Sequence, residues 1–455
     1  MIAPSLILLL VTAFVIVPCG GVAVMQPHLA PVLLAVVLLT IAVAVLDAMM
    51  AHSRVRGIRI LLPDVIRLTK DREGTVELQV HSEREKESRL TVGLPFPREI
   101  GSDAESLDVY IPGDVSVSRA PWLVTPTKRG NYRLSHVYYQ CMSPLRLWTY
   151  STSNPVDAEI RVYPNLMNER KYVAALFLPR GVFGIHAQRQ VGQGREFEKL
   201  REYISGDGYD EIHWKATAKR GKPVTKVYQL ERTQEVYVII DTSRLSGRTV
   251  YMPASGGINR AESSSIEVTH LERFISAALI LGAAAERQGD LFGLLTFGDR
   301  VRSFVRARNG RAHYNTCRDA LYTLEPQIVN PDFDEVFSFI RLRLRRRALL
   351  LFLTNLDDAV LAESFVRNIE IVRRQHLALV GMITPPRVQP IFSNTGAESL
   401  DDVYRDLAGH LRWHDLRELE RVLHRRGVSF SLLEHESMCG QLVTQYMDVK
   451  RRQLI

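Results

Sequence analysis

Two short polar clusters hold the residue types best able to do chemistry. Asp241-Thr-Ser243 follows the apolar run Val236-Tyr-Val-Ile-Ile240, and Thr354-Asn-Leu-Asp-Asp358 follows Leu349–Leu353. Carboxylates, hydroxyls and an amide at the ends of apolar runs have two uses. They meet a ligand or partner, or they cap helices and satisfy loop amides. A metal-dependent, membrane-bound hydrolase drawing on Asp241 and Asp357 is the enzymatic reading of these residues. Other chemistries find less. Ser243 lacks the G-x-S-x-G elbow of a serine nucleophile. No Gly-Lys-Ser/Thr phosphate loop occurs, so the chain is not expected to hydrolyse ATP. His410 and His414 stand four apart on a helical pattern, a spacing that suits zinc, but the Glu of H-E-x-x-H is missing. Cys19, Cys141, Cys317 and Cys439 form no C-x-x-C pair. That argues against a disulfide scaffold or a thiolate zinc site and fits a reducing compartment.

The elements that must position these clusters follow from patterning. Beyond residue 234, runs apolar on both faces (236–240, 291–297, 349–353, 377–383 and 428–433) alternate with helical patterns at 266–288, 332–344, 360–374 and 400–426. A parallel sheet covered by helices requires that texture. Residues 234–455 are therefore predicted to be a doubly wound α/β domain, with its ligand site at the carboxyl ends of the strands. In the last helix Val403, Tyr404, Leu407, Leu411, Leu416, Leu419 and Leu423 recur every three to five residues, predicting one apolar stripe. Residues 56–165 instead carry short alternating strands separated by turns, the pattern of an antiparallel β-sandwich. Between them, 166–233 forms a connecting segment. It mixes Phe197, Tyr203 and Trp214 with charge, predicting a partly buried lid with ionic partners such as Glu196, Arg201 and Asp207.

The whole chain has 455 residues, with 58 Lys and Arg against 50 Asp and Glu, a net charge of +8. So slight an excess does not argue for nucleic acid as a partner, and none is expected. The basic run Arg341-Leu-Arg-Leu-Arg-Arg-Arg347 reads as a helix end, where cations favour the dipole. The strongest single signal lies at residues 1–51. Ile2–Met25 carries no charge, and a second uncharged run spans Pro31–Leu46. Each approaches the ~20 residues a helix needs to cross a bilayer. Two spans with a tight turn predict a transmembrane helical hairpin. A cleaved signal peptide would want Lys or Arg before the apolar run. Arg54, Arg56 and Arg59 follow the second span. Basic flanks stay inside. The expected location is the inner cell membrane, multi-pass, with the large C-terminal region cytoplasmic.

The stretch Gly192-Gln-Gly-Arg-Glu-Phe-Glu-Lys-Leu-Arg-Glu-Tyr203, then Gly206-Asp207, then Ile212-His-Trp-Lys-Ala-Thr-Ala-Lys219, resembles the family known as domain of unknown function 58. The N-terminal hairpin, Pro126-Thr-Lys-Arg-Gly-Asn-Tyr132, Ser143-Pro-Leu-Arg-Leu-Trp148, Val162-Tyr-Pro164, Gly289-Asp290 and Leu321-Tyr-Thr-Leu-Glu-Pro326 look like its members too. The resemblance implies a von Willebrand factor A-like C-terminal domain. It also implies a MoxR-type AAA+ ATPase as partner and no assigned enzymatic activity. Such domains often hold Mg²⁺ through D-x-S-x-S, a Thr and an Asp. Here Asp241 and Ser243 match, Leu245 replaces the last serine with Ser246 one residue late, Asn355 takes the later acidic place, and Thr316 is the candidate bridging Thr. Any Mg²⁺ site is thus degenerate, with Asp241, Ser243 and Asp358 as its ligands, and Asp357 or Asp358 substituting for the missing acid. The function the sequence points to is a membrane-anchored adaptor. It meets its partner at Asp241, Thr242, Ser243 and Asn355, in assembly or cell-envelope processes.

Overall fold

The computed structural model describes residues 1–26, 29–55, 57–82, 87–112, 117–167, 191–204, 208–209, 212–229, 234–253, 265–391, 393 and 399–452. It divides into two compact units, Met1–Asn165 and Leu166–Ile455.

The first unit opens with a short strand, β1 (Ile2–Pro4), and two helices, α1 (Leu6–Met25) and α2 (Ala30–Val55). Ser5 caps α1 by accepting the Leu8 N–H, and Pro18 lies within the helix. The helices pack against each other. Leu6–Met25 and Ala30–Met50 are long and apolar enough to cross a membrane and are mostly exposed.

Nine strands follow: β2 (Ile58–Leu61), β3 (Val65–Thr69), β4 (Gly74–Ser82), β5 (Ser88–Gly93), β6 (Ile100–Gly101), β7 (Leu107–Ile111), β8 (Val117–Pro126), β9 (Gly130–Met142) and β10 (Trp148–Tyr163). They form a four-stranded sheet, β2-β4-β8-β6, and a six-stranded one, β1-β10-β9-β5-β7, with β3 on β10. Alternation sends Val76, Leu78, Val80 and Trp122 of one sheet and Leu90, Val92, Val137 and Ile160 of the other into a shared core. The prediction of purely antiparallel strands needs one correction: β3 and β10 run parallel.

The second unit begins with the hairpin β11 (Val191–Glu202) and β12 (Val224–Gln229), with α3 (Trp214–Arg220) between. His213 caps α3 through Nδ1, which accepts the Ala216 N–H. Ile212, Val224 and Thr225 are buried, but Trp214 is exposed, so the expected buried lid does not include it. Asp207 and the side chains of Glu196 and Phe197 lie outside the described residues.

The main sheet collects β13 (Glu235–Asp241), β16 (Leu291–Phe297), β17 (Val301–Arg308), β18 (Ala348–Leu353), β19 (Leu377–Ile383) and β20 (Ser429–Leu433). Its order is β17-β16-β13-β18-β19-β20, parallel except for the edge strand β17. A small hairpin, β14 (Thr249–Pro253) and β15 (Ser265–Thr269), follows β13. Helices cover both faces. On one lie α4 (His270–Gln288), α5 (Arg311–Leu321) and α9 (Met438–Arg451), whose Phe274, Cys317, Leu442 and Tyr446 join Val238 and Leu351. On the other lie α6 (Phe333–Arg343), α7 (Ala359–Asn368) and α8 (Leu400–Arg425), where Phe333, Phe337, Phe352 and Phe365 interlock edge to face.

Two patterns resolve differently from expectation. The helical reading from Ile266 is corrected: Ser265–Thr269 is a strand, and the helix starts at His270, where Thr269 accepts the Glu272 N–H. The apolar stripe of α8 is really two faces. Leu416 and Leu423 are buried, whereas Val403, Tyr404, Leu407 and Leu411 are exposed. The five-residue step from Leu411 to Leu416 rotates about 140° at 3.6 residues per turn, carrying the pattern across the helix.

Candidate functional site

Strand β13 is central, and the chain crosses to β16 on one side and to β18 on the other. The crevice at such a switch point is where open α/β sheets place their sites. Asp241 ends β13, and Thr354-Asn355 follows β18, so the two polar clusters of the sequence do meet. The Thr354 hydroxyl donates to Asp241 Oδ2 at 2.7 Å, and the Ser243 N–H donates to Oδ1 at 2.8 Å. Both Thr242 N–H and Thr242 Oγ1 donate to Phe297 O at 2.7 Å. Ser243 caps a single 3-10 turn, Arg244–Gly247, and the Ser246 hydroxyl donates back to Ser243 O at 2.8 Å.

A second layer surrounds this. Asn355 Nδ2 donates to Leu245 O at 3.1 Å and lies 2.9 Å from His270 Nδ1, while its Oδ1 is buried with no hydrogen-bond partner among the described residues. Burial, and then the Arg248 cation, lower the His270 pKa from 6.5 to about 4. Arg248 pairs with Asp357. The loop at 326–330 closes over the cluster: Gln327 N–H donates to Thr242 O at 2.8 Å, Arg244 N–H to Val329 O at 3.0 Å, and Arg244 Nε to Asn330 Oδ1 at 2.6 Å. At its tip Ile328 is 97% exposed.

Asp241 is consequently 0% exposed. Burial raises its pKa, and the hydrogen bonds from Ser243 and Thr354 only partly oppose that. Thr242, Ser243 and Asn355, the other residues expected to meet a partner, are enclosed with it, each at most 1% exposed.

The magnesium constellation that the resemblance implies does not fit this arrangement. Mg²⁺ demands octahedral oxygen ligands and keeps several waters. Both Asp241 oxygens already accept protein hydrogen bonds, and the Asn355 amide nitrogen is held by Leu245 O and His270. Asp358 is spent capping α7, accepting N–H groups of Val360 at 3.0 Å and Leu361 at 3.3 Å. Thr316 is exposed on α5 and donates to Ala312 O of its own helix. Among the described residues, no three His, Cys, Asp or Glu side chains gather as a metal site. The hydrolase reading meets the same obstacle, since Asp357 is paired with Arg248 while Asp241 is sealed.

His270 and Arg248 escaped the sequence reading: the helical pattern was set to start at Ile266, which hid the cap at Thr269, and the stretch around Arg248 carried no element. The signal that could have placed His270 is the capping box Thr269-His-Leu-Glu272.

Residues 199–406 match the family described as "Protein of unknown function DUF58". No curated protein matches the chain. Among solved structures it is similar to proximal thread matrix protein 1 from the mussel byssus. One crystal form aligns at 12% identity and TM-score 0.23, over 46% of this chain and 44% of that one. A second, with a zinc-occupied MIDAS motif, aligns at 12% identity and TM-score 0.21, over 34% and 36%. The chain thus spans less than half the length of these structures. Likeness at such TM-scores carries no argument.

Proposed function

We propose that the protein is a membrane-anchored, non-enzymatic adaptor. Its C-terminal unit, of von Willebrand factor A-like type, docks a partner protein at the carboxyl edge of the main sheet. The observation that carries this reading is the condition of Asp241. A carboxylate wholly enclosed, and consumed in tying the β13 loop to the β18 loop, supports a surface built above it. The carboxyl edge carries Ile328, 97% exposed, and the Arg248–Asp357 pair. An edge that holds both an exposed isoleucine and a charged pair has the composition of an interface.

The partner we infer is a MoxR-type AAA+ ATPase, acting with this protein in assembly or cell-envelope processes. The match to the DUF58 family over residues 199–406 supports that choice, through what the resemblance implies. The anchor would be the α1–α2 hairpin, with the remainder on the cytoplasmic face of the inner membrane. Affinity recovery of the full chain from native cells in mild detergent tests the proposal. The expected result is co-recovery of an AAA+ ATPase, lost with Ile328→Asp. Repeated recovery without any AAA+ ATPase would overturn it, as would metal-dependent turnover abolished by Asp241→Asn.

A further inference from the structure

The turn Ser143–Trp148 is hydrogen-bonded to both apolar helices. Ser5, at the head of α1, donates its N–H to Leu147 O at 2.9 Å and its hydroxyl to Arg146 O at 2.6 Å. From α2, Asp47 Oδ1 accepts the Leu145 N–H at 3.0 Å, and Ala44 O accepts the Trp148 indole N–H at 2.8 Å. Strand β1 joins the same place by pairing Ile2–Pro4 with Trp148–Tyr150. The turn is itself rigid: Ser143 Oγ accepts the Trp148 N–H at 2.9 Å, and Ser143 O accepts the Arg146 N–H at 2.9 Å. A flexible tether would have none of these bonds.

The depth of the turn follows from helix geometry. The apolar stretch of α2 runs to Met50, so Ala44–Asp47 lies three to six residues before its end. At 1.5 Å per residue that is about 5–9 Å inside the apolar stretch. The turn therefore sits at the rim of the hydrocarbon, not above the headgroups. Its outward side chains suit that depth. Leu145 is 56% exposed, and Arg146 is exposed on a backbone with φ 58°. Among the described residues no carboxylate pairs with the Arg146 guanidinium. An aliphatic tip, an indole and an unpaired cation at the boundary of lipid and water are what an interfacial anchor contains.

We propose that Ser143–Trp148 is a bilayer-docking site, in which Leu145 enters the acyl boundary and Arg146 binds the phosphate of an anionic phospholipid. The inference rests on reading α1 and α2 as transmembrane. It adds that the β-sandwich lies on the membrane surface in one orientation, clamped rather than suspended.

The test uses the full chain with its four cysteines replaced by alanine, reconstituted in phosphatidylglycerol/phosphatidylcholine nanodiscs and spin-labelled at one site. A label at Phe14→Cys reports the hairpin, and a label at Leu145→Cys reports the turn, each read by oxygen against water-soluble nickel relaxation. The expected result is lipid-like exposure at both. A water-like signal at 145 with a lipid-like one at 14 overturns the docking site alone. A water-like signal at 14 overturns the transmembrane reading beneath it. For the phosphate, phosphatidylglycerol is expected to raise the thermal midpoint of the wild-type chain above its value in phosphatidylcholine alone. Arg146→Asn, which keeps a residue tolerant of positive φ, should remove at least half of that rise. An equal midpoint in both lipids overturns the assignment of Arg146.

Discussion

Asp241 shows how a residue of catalytic type becomes structural. Its two oxygens hold two loops, and burial leaves no face for substrate. Replacing it by alanine strands the Ser243 N–H and the Thr354 hydroxyl in a dry site. The expected cost is about 2–4 kcal/mol of unfolding free energy, measurable by denaturant titration of the detergent-solubilised chain. Calorimetric titration with Mg²⁺ or Mn²⁺ should give no saturable heat; saturable heat lost in Asp241→Ala would restore the metal reading. The histidines make a second prediction. Burial lowers His270, His376 and His435 to about 4. Their unfolded value is near 6.5, so the unfolded chain takes up protons first as the pH falls. The stability they contribute is present above about pH 6.5 and disappears between about 6.5 and 4, on the order of 2 kcal/mol for each. Thermal midpoints should therefore fall steeply across that window. His376→Leu should make the fall shallower, since the native ring nitrogens find no hydrogen-bond partner among the described residues. A flat profile would show that these rings are solvated. At this scale the meeting of Asp241 with Thr354 was legible, because each ends an apolar run. That the site would be sealed was not, since its cover comes from residues 326–330, where no periodicity marks a closing loop.

Helix α8 carries the lesson of the element scale. Recurrence every three to five residues reads as one stripe when counted in sequence, yet a single five-residue step sends the second half to the opposite side. The inner face packs closely: a Cβ on Gly409 would lie 2.1 Å from the Arg387 carbonyl oxygen. Leu416→Ala should therefore cost about 2–4 kcal/mol, as for other buried leucines. Leu407→Ala, on the outer face, should change stability by less than about 0.5 kcal/mol. Paired denaturation curves decide this, and equal losses would mean that the outer stripe is covered. Buried strands were easier to read than this helix. Strand β18 has all six residues buried, so its apolar run cannot be confused with a half-exposed face. Strand β15 was misread as helix for the opposite reason: it is short and runs directly into α4.

At the scale of the molecule, the two apolar helices and the sheet-rich units after them were visible in composition and alternation. The clamp between the helices and the β-sandwich was not, because it is made by single groups far apart in the chain. Asp47 is the clearest of these. It is 2% exposed near the end of an apolar helix, with one oxygen on the Leu145 N–H and the other buried with no hydrogen-bond partner among the described residues. An acid in that position is costly unless it secures something. Asp47→Ala removes the acceptor of the Leu145 N–H, while Ser5, Ala44 and β1 remain to hold the turn. The loss should be partial, about 1–3 kcal/mol in stability of the first unit. Cleavage between α2 and β2 by a soluble protease should become several-fold faster, because local opening then needs one bond fewer. If cleavage and stability both match the wild-type chain, the hairpin is a tether, and the orientation of the β-sandwich on the membrane is set elsewhere.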